Sequence, residues 1–153
     1  MNKTAFCMPM LLLAGLAAPA QAQDPGACPR LPAEAGLTWE HRGSGSSDFC
    51  RALRADESEA FGLYIAADSP FQPKRRNREE QGRIDGRSVQ WYRAEIATRP
   101  NIEAREALLE LDDGRVAHIW LQSPSGEQLD RAFQLTQSLQ FGPDRSTQVA
   151  AGQ

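Results

Sequence analysis

The sequence is poor in residues that do chemistry by themselves. It has only two histidines, His41 and His118, in 153 residues, and three cysteines. Zinc takes three or four protein ligands, so this set leaves the usual His/Cys metal motifs unfilled. The G-x-S-x-G elbow of hydrolases is absent, because Gly43-Ser44-Gly45 lacks its spacing. No Asp-rich stretch has the calcium-loop spacing of an EF-hand. No metal and no cofactor is therefore expected. An excess of basic charge is also lacking. The formal net charge is −3, which argues against a general nucleic-acid binder.

Long apolar runs are confined to the first residues. Lys3 precedes an apolar stretch from Ala5 to Ala18, followed by Pro19 and the small-residue pattern Ala20-Gln21-Ala22. That order is the pattern of a secretory signal peptide cut after Ala22. The stretch is about 14 residues, shorter than the roughly 20 a spanning helix needs. Cys7 lies before Leu11-Leu12-Leu13, so it is not a lipoprotein cysteine. The chain is therefore expected to be exported, with the periplasm favoured over the medium and no transmembrane anchor in the mature part. In an oxidising compartment the remaining pair, Cys28 and Cys50, is expected to form a disulfide. The expected organisation is a signal peptide at 1–22, an irregular segment at 23–36 with Pro25, Pro29 and Pro32, one domain at 37–141, and a flexible tail at 142–153.

Turn chemistry carries most of the structural signal. Asp85-Gly86 between 81–84 and 87–96 predicts a two-residue hairpin turn, because such turns need positive φ. Asp112-Asp113-Gly114 between 102–111 and 115–122 predicts a second hairpin with a left-handed glycine. A three-residue turn there places Leu109 opposite Ala117 and Ala107 opposite Ile119. The other face then gathers Glu106, Leu108, Glu110, Val116, His118 and Trp120. Strands are also expected at 37–42, 48–55 and 61–67, with Gly43–Ser47 as a flexible loop and 68–78 as a long polar loop. Ser125 and Gln128 have capping-box spacing, and Leu129, Ala132, Phe133 and Thr136 recur at helical period. Leu139–Phe141 is read as a last short strand. The fold class is α+β: an antiparallel sheet of five or six strands built from successive hairpins, with one C-terminal helix on a face. Over residues 60–141 this order is similar in layout to small sheet-and-helix domains of the PsbP kind, a likeness that implies arrangement alone.

Four groups of residues are candidates for function. His41, with Ser44, Ser46, Ser47 and Asp48 nearby, has the residue types of a nucleophile and its base. His118 sits mid-strand facing Glu106 and Glu110, a pairing that suits a pH-sensitive contact. Lys74, Arg75, Arg76 and Arg78 form the one basic cluster, suited to an anionic surface and partly offset by Glu79 and Glu80. Trp91, Tyr92 and Trp120 are large amphipathic side chains of the kind that anchor interfaces. Trp91 and Tyr92 must point to opposite faces of their strand, so one of them faces away from the helix. The uncovered face, with Trp91, Tyr92, Trp120, His118, Arg75, Arg76 and Arg78 as its candidates, is the expected partner surface.

The expected function is a non-enzymatic envelope protein of inhibitor, immunity or accessory type. Its partner would be a protein or envelope component, not nucleic acid. The alternative is a small exported hydrolase using His41 or His118.

Overall fold

The computed structural model describes residues 28–94, 96 and 99–142. The expected signal peptide lies outside the described residues, as do 143–153 of the expected tail. Seven strands follow a short 3-10 turn at Ala33–Ala35: β1 Thr38–Ser44, β2 Ser47–Leu53, β3 Glu59–Ala66, β4 Arg78–Ile84, β5 Arg87–Ala94, β6 Glu103–Glu110 and β7 Val116–Ser123. The helix α1, Gly126–Gln137, ends the order. All seven strands form one antiparallel sheet in the order β1-β2-β3-β7-β6-β5-β4. The expected five or six strands are corrected to seven. Both edge strands are polar (TWEHRGS and REEQGRI) and lie on segments expected as strands, 37–42 and 81–84, each running a few residues further than expected.

The turns carry the residues that their geometry demands. Asp85 and Gly86 have φ of 51° and 74°, the paired positive values of a type I′ turn. Gly114 has φ 82° and closes the β6–β7 hairpin, in which Leu109 faces Ala117 and Ala107 faces Ile119 as the sequence implied. The expected loop Gly43–Ser47 shrinks to two residues. Ser44 pairs with Ser47 and Gly45, at φ 62°, fills the first turn position that favours glycine. Ser125 accepts a hydrogen bond from the Gln128 backbone N–H at 3.4 Å, and Glu127 sits in the first turn, where the helix dipole favours an acid.

One face of the sheet makes the core. Cys50, Phe61, Leu63, Ile65, Ile119 and Leu121 pack there with Leu129 and Ala132 of α1. Each large apolar side chain so buried contributes about 2 kcal/mol. Trp91 belongs to this face. It is 2% exposed, meets Phe133 edge-on at 5.1 Å, and its indole approaches Gly82, where a β-carbon would come within 2.7 Å of Nε1. The N-terminal segment closes the same face. Cys28 bonds to Cys50, Pro29 accepts from Trp39 Nε1 at 2.8 Å, and Arg30 forms a single bridge with Gln140. The short strand expected at Leu139–Phe141 is reduced to that bridge. Among the described residues no helix is long and apolar enough to cross a membrane.

The strand order sets the path of the longest connection. β3 lies in the middle of the sheet and β4 at its far edge, with β7, β6 and β5 between them. The chain from Ala67 to Asn77 must pass those strands, and its Phe71 ring meets His118 and Tyr92 on the face away from α1.

Candidate functional site

The face away from α1 is built by alternation. Ala117, Ile119 and Leu121 of β7 point to the core, so His118 and Trp120 point outward. Register then sets their neighbours. Tyr64 and Leu108 flank His118, and Gly62 and Glu106 flank Trp120. Tyr92 lies opposite Glu106, and Phe49 opposite Tyr64. The result is a half-buried aromatic row. Phe71 stacks on His118 with ring centroids 4.9 Å apart and planes 8° from parallel. The same ring meets Tyr92 edge-on at 6.1 Å. Trp120 packs against His118 at 5.7 Å and Phe49 at 5.5 Å.

A polar chain continues the row toward β1. Trp120 Nε1 donates to Glu59 at 2.9 Å, and Arg51 Nε donates to the other oxygen of Glu59 at 2.8 Å. Arg51 also donates to Glu40 at 2.7 Å, and Arg42 donates to Glu40 at 2.6 Å. The Arg42 hydrogen bond holds the Glu40 carboxyl below its ordinary range. The Glu59 hydrogen bond raises the Arg51 guanidinium. With opposite charges alternating from strand to strand, this half of the face is electrostatically satisfied.

The other half is not. Beneath the 67–77 connection lies a cleft of about 420 Å³, bordered by Phe71, Lys74, Arg76, Tyr92 and Glu106. Arg75–Asn77 form a 3-10 turn at its mouth, held by Asn77 Nδ2 donating to the Arg93 carbonyl at 3.2 Å. Lys74, Arg75, Arg76 and Arg78 are all exposed, and none has a side-chain hydrogen bond or ion pair among the described residues. Every other described arginine has one.

The candidate residues thus divide. Tyr92, Trp120 and His118 share the outer face, and Arg76 lines the cleft with Tyr92. Arg75 and Arg78 flank it. Trp91 lies across the sheet in the core and drops out of the surface. Phe71 escaped sequence reasoning; its only signal is an aromatic ring set between Pro70 and Pro73 in a polar stretch. Cys28 and Cys50 are joined, as expected, with Cα atoms 5.9 Å apart.

Both imidazoles are engaged by carboxylates. His41 Nε2 lies 2.8 Å from Asp48 Oδ1, and Asp48 also receives Arg115 at 3.1 Å. His118 Nε2 lies 3.1 Å from Glu106. Ser47 Oγ donates to the Ser44 carbonyl at 2.8 Å instead of to His41. Among the described residues no three His, Cys, Asp or Glu side chains gather as a metal site would require. Comparison with protein-family models, curated proteins and solved structures finds no match for the chain.

Proposed function

We propose that the chain is an exported, non-enzymatic binding module of accessory, inhibitor or immunity type, and that it docks an acidic protein at the cleft under the 67–77 connection. The observation that carries this reading is the run of four exposed cations, Lys74, Arg75, Arg76 and Arg78, without side-chain partners among the described residues, two of which, Lys74 and Arg76, line the cleft with Phe71 and Tyr92. Clustered like charges repel one another, and a carboxylate-bearing partner relieves that repulsion. Phe71 and Tyr92 supply the rigid apolar contact that anchors an interface, and the cations supply charge-assisted hydrogen bonds. The disulfide supports an oxidising compartment. A hydrolase would need a nucleophile within about 3 Å of an imidazole, and among the described residues no serine hydroxyl is hydrogen-bonded to either ring; Ser47 Oγ donates to the Ser44 carbonyl instead.

The test is crosslinking in envelope extract at low salt, followed by titration of the captured acidic protein. Replacing the four cations with Ser should leave the thermal midpoint nearly unchanged, since surface substitutions fall within about 0.5 kcal/mol. The same change should abolish saturable binding, as should Phe71→Ala. Equal binding by the native chain and both variants would overturn the reading.

A further inference from the structure

The two edges of the sheet differ in kind. β4 is blunted: its register with β5 shifts between Arg78 and Gln81, and Glu79 and Glu80 sit in the irregularity. Bulges and charge are common devices against edge pairing. β1 has no such irregularity. All seven residues, Thr38 to Ser44, pair in step with β2, and among the described residues the strand's other side has no neighbour in the sheet.

The hairpin determines what that free side offers. A two-residue turn makes Ser44 and Ser47 a hydrogen-bonded pair, and such pairs alternate along antiparallel strands. The backbones of Ser44, Arg42, Glu40 and Thr38 are therefore spent on β2. Those of Trp39, His41 and Gly43 direct N–H and C=O outward, ready for another strand.

We infer that β1 pairs antiparallel with β1 of a second copy of this chain, about a two-fold axis at His41, joining two sheets into one. The sequence is self-complementary in that register. Glu40 faces Arg42 of the second copy, and Arg42 faces its Glu40. Thr38 faces Ser44. Trp39 faces Gly43, which presents no side chain of its own. His41 meets its own equivalent at the axis and exchanges both backbone hydrogen bonds with it. Its ring leans away from the axis toward Asp48 and its own Gly43, where a β-carbon would lie 3.4 Å from Cε1. The Glu40–Arg42 contacts fall at non-hydrogen-bonded positions, where side chains come closest. Arg42, with its side chain 72% exposed, is free to swing from its own Glu40 to the partner's. Moving the axis by one residue, to position 40 or 42, slides the strands by two and places Glu40 opposite Glu40 or Arg42 opposite Arg42, and like charges directly opposite are unfavourable.

The test is sedimentation of the purified mature chain across a concentration series, with circular dichroism confirming that each variant is folded. The native chain should show a concentration-dependent dimer. Glu40→Lys and Arg42→Glu each turn both cross-axis contacts repulsive and should weaken association by about tenfold. An equimolar mixture of the two variants restores both contacts and should associate about as well as the native chain. A native chain that stays monomeric up to about 1 mM would overturn the inference. So would a dimer indifferent to both substitutions, as a dimer through the Phe71 face would be, or a mixture that fails to recover.

Discussion

Trp120 lies over Gly62, its neighbour on β3, so closely that a β-carbon there would fall within the indole. Glycine at 62 is therefore what lets the ring lie flat against the sheet and reach Glu59. Gly62→Ala should push the indole away and break that hydrogen bond. Overpacking of this kind destabilises by about 1–3 kcal/mol. Chemical denaturation should show the loss, and a shift in tryptophan emission should accompany it.

The Phe71 ring is the clasp that fixes the long connection. Phe71→Ala removes both the stack on His118 and the edge contact with Tyr92. Aromatic pairs contribute about 0.5–1.5 kcal/mol beyond area burial, so the fold should survive with a modest fall in stability. Amide exchange should rise in residues 67–77 and stay unchanged in β6 and β7.

Removing the disulfide should be more costly. Cys50 is fully buried, and the bond spans a sequence separation of 22 residues. Closing such a loop contributes about 3 kcal/mol in the chain-entropy model. The pair variant Cys28→Ala with Cys50→Ala should unfold at lower denaturant, and reduction of the native chain should reproduce the shift.

Acid sensitivity follows from Glu80. Burial alone would raise its carboxyl, but the hydrogen bonds and charge of Arg105 outweigh that and hold it below the ordinary 4.5. A carboxyl lowered in the fold adds stability above its unfolded value, and that stability is lost as pH falls through the folded value. The loss should therefore appear below about pH 4.5. Glu80 is 44% exposed, so solvent screening limits its share to about 1 kcal/mol or less. Glu80→Gln should flatten the acid limb of a stability–pH curve without abolishing it, because Glu40 and Asp113 shift in the same direction.

Local chemistry made parts of the fold legible in the sequence. Asp85-Gly86, Asp112-Asp113-Gly114 and the Ser125 cap each impose a backbone geometry within a few residues, and each appears where expected. The β6–β7 register was readable because one pairing separates an aliphatic face from a mixed one. The edge strands were found, at 37–42 and 81–84, but their far ends were not, since a strand with few buried side chains needs no alternation. Strand order was beyond reach, because β3 chooses β7 through contacts fifty or more residues away. The site suffered for that reason. His118 and Glu106 share a hairpin and could be paired in advance. Phe71 reaches them only because the chain must travel from the middle of the sheet to its edge.

The cystine and the Arg30–Gln140 bridge place Cys28 and the stretch just after α1 on the same side of the molecule. Both ends of the described stretch therefore lie behind the sheet, away from the aromatic row. A dye or surface linker placed by substitution at the exposed Gln140 would leave the aromatic row and its cations presented to solution.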